Sequence, residues 1–136
     1  MAHPALPTLF TDVISPWPKA AQQQFRMLRD IVFNVADRAE IGAIHETLKW
    51  GQPSWLPVKK RVGSTLRCAW KPSTPKQFSL FVNCNTTLCE TMRELHPNAF
   101  QYEGQRALHF PITAMAPTDA IEHCAFLTLT YHRKTT

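Results

Sequence analysis

Apolar residues in the first third of the chain recur at helical spacing. Ala21, Phe25, Leu28, Val32 and Val35 stand three and four apart, with Gln22, Gln23, Arg26 and Arg29 largely off that stripe. Ser15 can cap this helix and Pro16 suits its first position, so the spacing predicts a start within Ser15-Pro16-Trp17-Pro18. Residues 1–14 are Pro-rich and read as an extended N-terminal arm. Asp37 and Glu40 have capping-box spacing ahead of Ile41, Ile44 and Leu48. That predicts a second helix stopped by Gly51, with Pro53 barring its restart.

The period then changes. Leu66, Cys68 and Trp70 alternate with Arg67, Ala69 and Lys71, as in a strand with one buried face. Phe78, Leu80, Val82 and Cys84 alternate after the loop Pro72-Ser73-Thr74-Pro75, so the two strands are expected to be hairpin neighbours. Thr87 and Glu90 box a third helix whose Leu88, Met92 and Leu95 face inward, and Pro97-Asn98 ends it. Phe100 and Tyr102, then Leu108 and Phe110, straddle Gly104-Gln105 as a second hairpin. Beyond Thr118, Ile121, Cys124, Ala125 and Thr128 are helical in spacing, although Leu127, Leu129 and Tyr131 alternate. The cap at Thr118 and the tail His132-Arg133-Lys134 favour a helix. The class is α+β: a small antiparallel sheet covered by helices, in one domain over 15–136.

Composition narrows the setting. With 136 residues, 44% of them hydrophobic and 18% charged, the chain has the make-up of an ordinary globule with one core. No run approaches the ~20 apolar residues that cross a bilayer, so no membrane partner is expected. Met1 to Pro7 has neither a basic n-region nor an apolar h-region, and the expected location is the cytoplasm. Cys68, Cys84, Cys89 and Cys124 include no CxxC pair and are expected to be small buried thiols.

Charge is unevenly distributed. From Thr47 to Cys89 there is no Asp or Glu, while Lys49, Lys59, Lys60, Arg61, Arg67, Lys71 and Lys76 give +7. The remainder carries −2, and the net is +5. A basic segment in a nearly neutral shell attracts anions, although a solvated strand surface has the same pattern.

The candidate chemistry follows from these cations and their aromatic neighbours. Lys49, Trp50, Gln52 and Trp55 surround the predicted helix end and can line a pocket for a small anionic ligand. Lys49 would supply charge, Gln52 a hydrogen bond and Trp55 an apolar wall. Trp50 and Gly51 are expected to plug and cap, leaving Gln52 and Trp55 as the exposed pair. The alternative is contact with nucleic acid or an acidic protein through 59–76, using Lys59, Lys60, Arg61, Arg67 and Lys71. Stacking on Trp70 is weakened because it alternates with the apolar side. His45 and Lys49, four apart, would share a helix face with Glu46 alongside, yet the chain has no nucleophile elbow or phosphate-binding glycine loop. A non-catalytic binding domain, monomeric or homodimeric, is therefore expected, with no cofactor. No metal site is expected either, since Cys84 with Cys89 and His123 with Cys124 lack paired zinc-ligand spacing.

Leu48-Lys49-Trp50-Gly51-Gln52-Pro53, the later Arg93-Glu94-Leu95-His96-Pro97 and the segment His123 to His132 together resemble the YdhG/YdeI-like domain family. The resemblance covers roughly residues 15–134 of the chain, and the family is a bacterial one largely of unknown function. It implies a YdhG-like α+β fold. One branch contains a frataxin-like iron chaperone, so iron handling is a further implication. It is carried onto no residue here, because iron favours hard carboxylate and imidazole ligands and positions 47–89 hold no carboxylate.

Overall fold

The alternating segments fold into one antiparallel sheet, as seen in a computed structural model that describes residues 3–133. In chain order the elements are α1 (Thr8–Ile14), α2 (Lys19–Arg38), β1 (Ile44–Lys49), β2 (Gln52–Pro57), β3 (Leu66–Trp70), β4 (Gln77–Phe81), α3 (Leu88–Leu95), β5 (Gln101–Glu103), β6 (Ala107–Pro111) and α4 (Thr118–Leu129). The six strands lie in the order β1-β2-β3-β4-β6-β5. The fold is α+β, as the sequence predicts.

Alternation assigns each strand residue to a face. Trp55, Leu66, Cys68, Phe78, Leu80, Leu108 and Phe110 join one buried cluster with Phe10, Phe25, Leu28, Val32, Ile121 and Leu129 of the helices. The opposite face has only a small apolar patch of its own, Ala69, Phe81 and Ala107. The helices thus cover one face and leave the other to polar side chains. At roughly 25 cal/mol per Å² of apolar area buried, the helix-covered face carries most of the stabilisation.

Four expectations are corrected. Residues 8–14 of the expected arm form α1, which buries Phe10 and Ile14. Ser15 is the C-cap of α1, and α2 starts at Lys19 behind Pro18 without a side-chain cap. The predicted second helix does not exist: α2 runs on to Arg38, and 44–49 is an edge strand. Glu40 and Gly42 have φ of +54° and +88°, which end the helix, and Ile44 and Leu48 then serve a strand as readily as a helix. Leu95, expected to face inward, is exposed on the outer side of α3.

Trp50-Gly51 is therefore a hairpin turn. Lys49 pairs with Gln52 across it, and φ of +56° at Trp50 and +73° at Gly51 make it a type I′ turn. Gly51 fits that turn because it lacks a Cβ; a tryptophan at the first position is unusual there. The β2–β3 loop is held to the end of α4 by Ser64 N to Thr128 O (2.8 Å) and His132 N to Val62 O (3.0 Å). Gly63 approaches so closely that a Cβ would collide with the Leu129 carbonyl. Lys134, grouped with His132 and Arg133 at the helix end, lies outside the described residues.

Candidate functional site: a cationic cleft on the open face of the sheet

Period-two alternation sends Lys49, Gln52, Arg67 and Phe81 to the uncovered face, where β1 to β4 lie side by side. Lys71 follows β3, and Arg106 arrives from the β5–β6 turn because β6 pairs with β4. These side chains and Trp50 surround a cleft of about 570 Å³. Phe81 anchors two of the cations, with the Arg67 guanidinium 5.7 Å and the Lys71 ammonium 5.4 Å from its ring centre.

Local hydrogen bonds set the cleft's shape. Arg67 NH1 donates to Gln52 Oε1 at 3.2 Å, and Lys49 Nζ reaches Thr65 Oγ1 at 3.5 Å. Neither contact neutralises charge. Among the described residues Lys49, Arg67, Lys71 and Arg106 form no ion pair, and no carboxylate lines the cleft. Burial, followed by the like charge of Arg106, pulls Arg67 below its usual value. A bound anion would relieve that repulsion. In contrast, the hollow of about 380 Å³ between α2 and α4 contains Arg38 and Glu122 already paired at 3.3 Å.

Trp50 is the aromatic component. It is 88% exposed at the lip, on a left-handed backbone that a bulky residue adopts only with strain. Neither burial nor turn preference explains it.

The expected roles of the two tryptophans are reversed. Trp55 is fully buried, edge-on to Phe10 at 5.6 Å and tilted against Phe25 at 5.8 Å, with Nε1 donating to Glu46 Oε2 at 3.0 Å. It cannot form a ligand wall, because its strand position points to the helices. Lys49, Trp50 and Gln52 do come together, as do Arg67 and Lys71 with them. Lys59, Lys60 and Arg61 do not; they lie in the β2–β3 loop beside Val62, His132 and Arg133. The five cations expected to meet a nucleic acid or acidic protein are thus split between two places, and Trp70 turns to the core side with Nε1 bonded to Pro75 O at 2.9 Å.

His45, Glu46 and Lys49 share no helix face. Glu46 points inward to Arg29, while Lys49 is on the open side. Cys84 is exposed at the cleft, in contrast to the expected burial, whereas Cys68, Cys89 and Cys124 are buried. Arg106 escaped sequence reasoning because only strand order brings it to Arg67. No helix among the described residues is long and apolar enough to cross a membrane. Comparison of the chain with protein-family models, curated proteins and solved structures found no match.

Proposed function

We propose that the open face of the sheet binds a small anionic ligand carrying a flat ring. The observation that carries this reading is a strained, exposed Trp50 at the lip of a cleft with four cations and, among the described residues, no lining carboxylate. The anionic group would lie against Arg67 and Arg106, whose planar forks suit carboxylate or phosphate oxygens. Lys49 and Lys71 would add charge from the sides, and the indole of Trp50 would stack on the ring. Likeness to YdhG/YdeI-like domains is part of the proposal and assigns no ligand.

A thermal-shift titration with adenosine monophosphate, phthalate, citrate and pyrophosphate tests it. Ligand at 100 times Kd stabilises by about 2.7 kcal/mol, a shift of several degrees. The expected order places the ring-bearing anions ahead of citrate and pyrophosphate, with the shift reduced in Trp50→Ala and lost in an Arg67→Ala/Arg106→Ala double variant. Undiminished shifts in the double variant would sink the reading.

A further inference from the structure

Beside the cationic cleft, the open face carries a chain of polar side chains that anion binding does not use. Ser79 lies mid-way along β4, opposite Ala69 of β3 on one side and His109 of β6 on the other. Ser79 Oγ is 2.7 Å from His109 Nδ1, and His109 Nε2 is 2.8 Å from Glu103 Oε1. With the imidazole proton on Nε2 facing the carboxylate, Nδ1 is free to accept the Ser79 hydroxyl proton. Nucleophile, base and orienting acid stand in that order and at those distances in serine acyl-transfer sites, although here Nδ1 faces the serine and Nε2 the acid, the reverse of the usual ring orientation.

The surroundings suit the same role. Ser79 is 5% exposed and His109 8%, but Ala69 and Ala107 beside them are short, so the hydroxyl forms part of the floor of a second cleft of about 540 Å³. This cleft shares Lys71, Phe81, Cys84 and Arg106 with the first. The charges of Lys71 and Arg106 both reach Glu103, yet its carboxylate bonds to the imidazole. Strand N–H groups here serve the ladder between β3, β4 and β6, so a developing oxyanion would depend on side-chain cations. Lys71 and Arg106 are the cations at that cleft.

We propose that Ser79 is the nucleophile of an ester-hydrolysing site, with His109 as general base and Glu103 as its positioning residue, for esters whose acyl part carries a negative charge. Ser79 Oγ attacks the ester carbonyl as its proton passes to His109 Nδ1. The tetrahedral intermediate collapses, the C–O bond to the alcohol breaks, and the departing oxygen takes that proton. Water then attacks the acyl-serine, giving its proton to His109, which returns it to Ser79 Oγ as the carboxylic acid leaves. The sum is ester plus water to acid plus alcohol. The preference for an anionic acyl group rests on the proposed binding at Arg67 and Arg106; the nucleophile does not.

The test uses the full chain and three probes: diisopropyl fluorophosphate, neutral p-nitrophenyl acetate and anionic p-nitrophenyl succinate. The expected result is a phosphoryl adduct that peptide mass spectrometry places on Ser79. Ester turnover should fall on the order of 100-fold or more in Ser79→Ala, as loss of a nucleophile requires. Glu103→Gln alters an exposed side chain, so it keeps the fold and should lower kcat roughly tenfold with KM little changed. Succinate should be cleaved about tenfold faster than acetate, the worth of one charge-assisted contact, and Arg67→Ala should abolish that preference. An unlabelled Ser79 together with wild-type turnover in Ser79→Ala would overturn the proposal. Equal cleavage of both esters, with Ser79 labelled, would overturn only the substrate class; the anion-binding reading stands or falls by its own thermal-shift titration.

Discussion

Arg29 of α2 and Glu46 of β1 form a two-point ion pair at the edge of the core, Nε to Oε2 at 2.7 Å and NH2 to Oε1 at 2.8 Å, with each side chain 9% exposed. Glu46 also accepts the Trp55 indole N–H, and Arg29 NH2 donates to the carbonyls of Pro4 and Ala5. One buried cluster thus ties α2, β1, β2 and the segment before α1 together. Removing one member leaves the other charge buried and uncompensated, which is worth about 3–5 kcal/mol. Glu46→Ala should therefore lower the urea midpoint steeply. Arg29→Met/Glu46→Leu should recover part of the loss, because no orphan charge remains. A double variant as unstable as the single one would mean that the network's hydrogen bonds to Trp55 and to the segment ahead of α1, and not its charges, hold β1 in place.

The two tryptophans of the β1–β2 hairpin should respond in opposite ways. Trp55 fills the centre of the core, and Trp55→Ala should destabilise the protein by about 3–5 kcal/mol. Trp50 buries almost nothing and occupies a left-handed position suited to asparagine in a type I′ turn. Trp50→Asn should leave Tm unchanged or raise it by a few degrees, while reducing the thermal shift produced by adenosine monophosphate. Parallel melting curves with and without nucleotide separate the two effects. Destabilisation by Trp50→Asn would mean that the indole packs on its neighbours, and that its strain is not held for a ligand.

Strands β3, β4, β5 and β6 were legible because their apolar residues alternate without a competing period. The stripe in α2 was equally plain. Helix α4 does begin at Thr118, but its N-cap is Pro117 with no side-chain cap bond, and the alternation of Leu127, Leu129 and Tyr131 competes with the helical spacing. The 37–51 region misled because Ile44 and Leu48, four apart, satisfy a helix and a strand alike, and Asp37 with Glu40 imitates a capping box. The deciding signals were Gly42 and the two-residue turn ahead of Gln52, which are local breakers and not periodicity. For the site, alternation alone sends Arg67 and Lys71 to one face. Arg106, and the approach of Ser79 to His109 and Glu103, depend on the β4–β6–β5 strand order, which no local pattern encodes.

Buried acids make the fold sensitive to alkali. Burial pushes the Cys124 thiol up to about 12 and Cys68 well above its ordinary value, and Cys89 is raised as well. Burial likewise raises Tyr102 to about 12, where its hydroxyl donates to the carbonyls of Met92 and His96. Each group keeps its proton in the folded state after the unfolded chain has lost it. Stability is therefore full below the unfolded thiol value of 9.0 and declines as pH rises from there towards about 12. Urea midpoints measured from pH 8 to 11 should hold to about pH 9 and fall progressively above it. At neutral pH an aromatic disulfide reagent should modify one thiol rapidly, Cys84, and reach the other three after denaturation. Rapid modification of all four would show that the core around α4 opens readily.

The split of the basic segment predicts which cations matter to a ligand. Arg67 and Arg106 face each other's charge in the cleft, while Lys59, Lys60 and Arg61 sit in the β2–β3 loop beside His132 and Arg133. A charge-assisted hydrogen bond contributes about 1.5–3 kcal/mol, so Arg106→Ala should raise Kd for the bound anion roughly tenfold or more. Arg67→Ala should do the same and free the Gln52 side chain as well. Converting Lys59, Lys60 and Arg61 together to serine should change Kd less than threefold, because exposed charges at a distance are screened at ordinary ionic strength. Calorimetric titration of the three variants at low and physiological salt decides the matter. If the serine triple variant loses affinity and the arginine variants keep it, recognition belongs to the loop, and a long acidic partner becomes the better fit than a small molecule.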